Sequence, residues 1–296
     1  MNRRAHEPQT ALRREAQEAA AAFPPLLAQA HQLARSVVLG THGRRQAGQG
    51  EDFWQFRSAL PGDGRRAIDW RRSARGDSPF VRQREWQAAQ SVLLWIDDAR
   101  AMDFSSHADH PTKGARASVL GLALAILLLR GGERVGLIED DDPPRSGQTQ
   151  IERMLAQLSA RGEGAEYGTP AERPLPRGSR AVFLSDFLGD WAAISRAVLR
   201  AADSCVTGAL VQILDPVEER FPFDGRTRFL SMAGSIRFES MRARALKRGY
   251  LDRLNARREA LGDLGRQTGW QVLSHESSEP AQPALMWLYR ALERRR

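Results

Sequence analysis

Two adjacent carboxylates, Asp97 and Asp98, close the apolar run SVLLWI of residues 91–96, and a third, Asp186, closes the run RAVFLS of residues 180–185. Aspartates gathered at strand ends suit two kinds of chemistry. They ligate hard divalent cations through oxygen, and they hold the metal of a phosphoryl hydrolase. Hydrolysis also needs a base and an oriented nucleophile, and the neighbouring sequence supplies neither. His107 and His110, with Asp109 between them, follow in the loop after Asp97. Their spacing suits a metal, but no third His or Cys is near in sequence, so they are expected as a solvent-exposed loop pair. No Walker-type loop, HExxH or GxSxG occurs. The glycines at 43, 48 and 50 do not open a helix after a strand, which leaves a weak phosphate signal.

The elements that must position these aspartates alternate. Strands are expected at 91–96, 133–138, 180–185, 206–214 and 270–274. Helices are expected at 113–130, 151–160, 191–202 and 283–294, and a long basic amphipathic helix at 239–262. A short hairpin is expected around Ala233–Gly234. Apolar strands alternating with helices imply an α/β fold, with a mostly parallel sheet covered on both faces. Ligands in such sheets bind outside the carboxyl ends of the strands, where Asp97, Asp98 and Asp186 fall.

The chain has 296 residues and a net charge of +8, and its only lysines are Lys113 and Lys247. Basic charge admits nucleic acid, anionic lipid or an acidic partner. A nucleic-acid binder requires arginines converging with exposed aromatics in one stripe, and here the arginines are spread along the whole chain. Cys205, the single cysteine, excludes an internal disulfide and reads as a buried, inert thiol. The early arginines precede no apolar signal core. The longest apolar run, residues 117–129, is shorter than the roughly 20 residues a membrane span needs. A soluble, cytoplasmic protein is expected.

Three regions emerge. Residues 1–40 form a helical extension, with two short helices broken at Pro24–Pro25. Residues 41–90 are rich in Gly, Arg and Trp, and Thr41–Asp52 reads as loop. Residues 91–296 carry the alternating pattern.

The segment PGDGRRAIDWRRSARGDSPFVRQREW, residues 61–86, resembles the bacterial family called domain of unknown function 58. Residues 97–102, Ser185–Asp186–Phe187, Leu214–Asp215–Pro216 with Glu218, and residues 221–225 continue the match in order. The resemblance implies a von Willebrand factor A-like, Rossmann-like sheet with a metal-ion-dependent adhesion site at its top. It also implies a partner among the MoxR-type AAA+ ATPases, so a non-enzymatic adaptor in a chaperone-like assembly. The adhesion-site motif is D-x-S-x-S, and here the aligned residues are Asp97, Asp98, Ala99, Arg100 and Ala101. Both hydroxyl positions are alanine, so Asp97 and Asp186 remain as a degenerate metal site with at most weak magnesium binding and no other cofactor.

In the signature segment, Gly62, Asp63, Arg66, Asp69, Trp70 and Arg75 are the family and interaction residues. Trp54, Trp70 and Trp86 among these arginines have the composition of an interface hot spot. Asp69 is expected to pair with an arginine, and Trp70 to anchor the core at the sheet edge. Arg65, Arg71 and Arg72 are expected to stay exposed for a partner. The alternatives are a metal-dependent hydrolase using Asp97, Asp98 and Asp186, and a basic nucleic-acid binder.

Overall fold

The computed structural model describes residues 26–37, 44–48, 52–59, 68–74, 79–160, 165–235 and 237–293. The chain divides into two units, one made of residues 1–40 with 91–296 and the other of residues 41–90.

The larger unit is built on five strands: β4 (Ser91–Ile96), β5 (Arg134–Leu137), β6 (Arg180–Ser185), β7 (Thr207–Leu214) and β10 (Gln271–Glu276). Their order is β10-β7-β6-β4-β5, and every pairing is parallel. Parallel strands buried on both faces need apolar side chains pointing both ways. Accordingly, Val92, Leu94 and Ile96 of β4 join one core, while Leu93 and Trp95 join the other.

Helices α1 (26–35), α3 (Lys113–Arg130), α4 (Thr149–Ala160) and α8 (Ala281–Glu293) contribute to the first core. Helix α3 is the central one. Residues 120–128 are buried without a gap, which explains why its sequence shows little amphipathic rhythm. Gly121 lets it lie close to the sheet, since a Cβ there would stand 2.5 Å from Ile96 Cδ1. Ala30 and Ala34 of α1 also bury here, and Gln282 of α8 donates to the Ser36 carbonyl at 3.1 Å. The described part of the N-terminal region therefore belongs to the main core.

Helices α5 (Trp191–Asp203) and α7 (Lys247–Thr268) cover the opposite face. Its centre is aromatic: Phe183 stands edge-on to Trp95 at 5.4 Å and to Trp270 at 5.5 Å. Both indoles are satisfied, Trp95 by Glu139 and Trp270 by the Val206 carbonyl, each at 3.0 Å.

The chain leaves β4 for β5 at one edge, then returns past β4 to β6 on the other side. The sheet therefore reverses direction between β4 and β6, and a crevice forms at such a switch point.

Several expectations are corrected. The basic helix does not begin at Glu239. Strand β9 (Arg237–Ser240) pairs with β8 (Thr227–Leu230), a turn spans Ala243–Leu246, and α7 then runs on to the left-handed Gly269. Cys205 is exposed, not buried, in a left-handed conformation after α5 (φ 58°).

The smaller unit is a three-stranded antiparallel sheet of β1 (Arg44–Gly48), β2 (Asp52–Ser58) and β3 (Phe80–Ala88), in the order β1-β3-β2. The stretch expected as loop at 41–52 thus contains a strand. A register shift between Phe53 and Gln55 breaks the two-residue alternation that would have announced β2.

Candidate functional site

Three adjacent parallel strands are each followed directly by an aspartate: β4 by Asp97, β6 by Asp186 and β7 by Asp215. The aspartates therefore gather at the carboxyl edge of the sheet, and the first two flank the switch point.

Asp97 is buried, and both its oxygens are engaged. Oδ1 accepts from the Ala99 amide at 2.9 Å, and Oδ2 accepts from the Ser185 hydroxyl at 2.5 Å. Burial pushes its pKa up to about 6, against the lowering effect of those two hydrogen bonds and with Asp186 and Asp98 adding to the rise. The loop at 165–168 lies directly over it. Arg100 and Ala101 donate their amides to the carbonyls of Ala165 and Glu166, both at 3.0 Å. A Cβ built on Gly168 would fall 2.1 Å from Asp97 Oδ1. Only a glycine lets the loop come this close.

Asp186 faces a cation that belongs to the chain. Lys113, the first residue of α3, is 1% exposed. Its ammonium lies 2.8 Å from Asp186 Oδ2 and 2.7 Å from Glu218 Oε1, and 6.0 Å from the centre of the Phe104 ring. Burial alone would lower the lysine pKa, but the two carboxylates outweigh it and hold it above the ordinary value. Burial raises the Glu218 carboxyl, with Lys113 and the Asp215 amide pulling it back. Asp186 Oδ1 is used as well, accepting from the Leu188 amide at 2.9 Å.

Local sequence explains the delivery of each partner. Thr112 caps α3 through its hydroxyl, fixing where the helix starts and so where Lys113 points. Asp215 and Glu218 form a capping box around Pro216 at the start of α6 (Pro216–Arg220). Glu218 therefore does two things: Oε2 accepts from the Asp215 amide and Oε1 accepts from Lys113. Asp215 Oδ2 also takes the Ser106 amide at 2.9 Å, tying down the loop that follows the 3-10 turn Arg100–Asp103.

These residues do not fit a divalent cation. Ala99 and Ala101 offer no side-chain oxygen, and an ammonium lies against Asp186. The oxygens of Asp97 are spent on an amide and a hydroxyl. Among the described residues, no group of three or more His, Cys, Asp or Glu is placed to hold a metal. Asp98 points outward and is exposed. His107 is exposed and His110 half-buried, with ring centres 5.1 Å apart.

Sequence reasoning placed Asp97 and Asp186 together but missed Lys113, Ser185, Gly168 and the second role of Glu218. One signal for Lys113 was available: in a chain that uses arginine almost everywhere, a lysine opening the most apolar helix is out of character.

In the smaller unit, Asp69 is the N-cap of α2 (Trp70–Ser73), accepting from the Arg72 amide at 2.9 Å. Trp70 is 62% exposed, so it is not the core anchor expected of it. Arg71 and Arg72 are exposed, with Arg72 lying 5.9 Å over the Phe80 ring. Gly62, Asp63, Arg65, Arg66 and Arg75 lie outside the described residues.

Among known sequences, the profile of a family described as "Protein of unknown function DUF58" matches residues 55–260. The uncharacterized proteins Mb1516 of Mycobacterium bovis and Rv1480 of Mycobacterium tuberculosis are each 28% identical over 219 residues, covering 69% of this chain and 67% of theirs. No solved structure matches. No helix among the described residues is long and apolar enough to cross a membrane.

Proposed function

The chain belongs to the DUF58 family, and we propose that it is a non-enzymatic protein-interaction module, an adaptor or partner of a MoxR-type AAA+ ATPase in a chaperone-like assembly. One observation carries the first half of this reading. The switch-point crevice, where α/β proteins hold small ligands, is taken by Lys113 bound to Asp186 and Glu218. With the Gly168 loop over Asp97, both carboxylates flanking the crevice, Asp97 and Asp186, are already engaged within the chain, which supports a role other than catalysis. A hydrolase built on Asp97, Asp98 and Asp186 would first have to expel this lysine. The ATPase half rests on the family resemblance, and a shared fold alone does not fix a function.

The test is co-purification of the tagged protein from its native host with mass spectrometry, at about 150–200 mM salt, where nonspecific phosphate contacts are already much weakened. A DNA shift assay runs in the same buffer. An AAA+ ATPase in the eluate, with no sequence-preferring DNA complex, is the expected result. A sequence-preferring DNA complex without an ATPase overturns it.

A further inference from the structure

Three residues beyond Glu218, Phe221 ends α6 in a left-handed conformation (φ 42°) and begins an aromatic cluster. Phe229 stacks on Phe221 at 5.7 Å and on Phe238 at 6.4 Å, with Phe223 edge-on at 5.1 Å. Tyr250 of α7 meets Phe221 at 4.9 Å. Together with Leu246, Gly249 and Arg253, rings of this cluster line an open groove of about 500 Å³ between the β8–β9 hairpin and α7.

The surroundings are unusual for a free surface. Four of the six large apolar side chains exposed among the described residues are Leu230, Met232, Phe238 and Met241, all on or beside this hairpin. Large exposed apolar side chains gathered on one hairpin point to a binding site. Charge converges here too. Between Arg226 and Arg253 the chain carries eight basic residues and two acidic ones, most of the surplus behind its net +8. Glu239 takes Arg226 at 2.6 Å, and Asp252 stands 4.0 Å from Arg248. Arg228, Arg237, Arg242, Arg244 and Arg253 are exposed, with no carboxylate partner among the described residues.

Arginines occur along the whole chain, yet this stretch is dense in them, and the hairpin sets it beside exposed aromatics. That pattern alone would also suit single-stranded nucleic acid, which binds by stacking bases on free ring faces. Here the ring faces are largely used on one another, since Phe229 lies between Phe221 and Phe238. A membrane surface would take up only the exposed Leu230, Met232 and Met241, whereas the groove between them and α7 is a concavity suited to one inserted side chain. A concave apolar groove with unpaired guanidiniums at its rim is complementary to one bulky apolar side chain flanked by carboxylates.

We propose that this groove is the docking site for an acidic linear peptide segment of a partner protein, which inserts one large apolar side chain among Phe229, Phe238 and Tyr250 and sets its carboxylates against Arg253 and the hairpin arginines. The proposal names the chemistry of the bound segment and does not depend on the ATPase reading.

The test is fluorescence anisotropy on the full chain with labelled peptides about ten residues long, in the length range of groove-binding motifs. One probe is acidic with a central Leu or Trp, a second is acidic with Ser at that place, and a third is basic with the apolar anchor. Binding of the first alone at micromolar strength is expected. Gly249→Leu fills the groove from a position with open space around its Cα and improves helix propensity, so it keeps the fold. It should weaken binding by roughly tenfold or more, and Arg253→Glu by a similar factor, as for anchor and charge-pair losses at interfaces. Equal binding of the Ser-centred peptide would overturn the proposal. So would tighter capture of a single-stranded oligonucleotide or of vesicles containing phosphatidylglycerol, lost in Gly249→Leu, with no peptide binding. Self-association by sedimentation, abolished by Gly249→Leu and without peptide binding, would assign the groove to a second copy of this chain.

Discussion

Lys113 Nζ and Asp186 Oδ2 lie 2.8 Å apart, both side chains almost fully buried, at the point where the parallel sheet reverses its winding. Glu218 completes the arrangement at 2.7 Å. An α-helix thus delivers a tethered cation to two carboxylates at the carboxyl edge of the sheet. The ammonium is a point charge with three donors and no coordination geometry to satisfy. A buried pair of this kind costs desolvation in proportion to what it gains, so its presence argues for holding the loops in register more than for stability.

Removing the ammonium tests that view. Lys113→Met should destabilise the unit by about 3–5 kcal/mol, because two carboxylates are left buried without a cation. The loss should shrink in acid, where Glu218, whose carboxyl burial already raises, can protonate. The smaller Lys113→Ala should still gain no magnesium- or manganese-dependent rise in melting temperature, because Ala99 and Ala101 supply no ligand oxygen and Asp97 stays engaged. Calorimetric titration and thermal melts decide both points. Micromolar metal binding by the unaltered protein, lost in Asp97→Ala, would count against a lysine-filled site.

In the smaller unit, exposure reverses the ranking that composition suggests. Trp70→Ala and Arg72→Ala should each change stability by no more than roughly ±0.5 kcal/mol, the range for surface substitutions. Asp69→Ala should cost more, about 1 kcal/mol, because it leaves the Arg72 amide without its cap. Denaturant titrations of the three variants give the order directly. A large loss in Trp70→Ala would return that indole to the core.

Much of the fold is legible in the sequence because β4, β6 and β7 are continuous apolar runs that end in aspartate, and α3 is too apolar to be anything but central. Asp97 and Asp186 follow from this by the geometry of parallel sheets. Lys113 does not, since its partners lie 73 and 105 residues away in sequence, and nothing local tells a buried lysine from a solvated one at a helix start. The three-stranded sheet of residues 44–88 was obscured by a bulge and by strands rich in Arg and Gln. The basic density of residues 226–253 is visible in the sequence, but the groove beside it arises from a hairpin folding against a helix, which no linear spacing displays.

Acid stability should reflect two opposed groups. Asp97 has its folded pKa raised from 3.8 to about 6. Its contribution is present below the unfolded value and is lost as pH rises through about 6. His275 is the reverse: burial first, then Arg116, lowers it from 6.5 to about 4. Its contribution is present above 6.5 and is lost as pH falls towards 4. Each displacement corresponds to about 3 kcal/mol at most, so the two nearly cancel in the unaltered protein. Asp97→Asn should therefore make stability fall more steeply with acid between pH 6 and 4, and His275→Gln less steeply. Melting temperatures across that window check the signs. Parallel profiles for all three proteins would mean that neither group titrates as described.

Gly168 offers the most direct probe of the closed site. In Gly168→Ala the new methyl would fall 2.1 Å from Asp97 Oδ1 and 2.4 Å from Oδ2. Either the carboxylate must leave its bonds with Ala99 and Ser185, or the loop must lift away from Ala101. Overpacking of this kind costs about 1–3 kcal/mol. The same substitution in an Asp97→Ala background meets no carboxylate and should cost much less. Equilibrium unfolding of the two single variants and the double variant closes the cycle, and a coupling of about 1 kcal/mol or more is expected for groups in direct contact. Strictly additive losses would show that Gly168 does not press on Asp97.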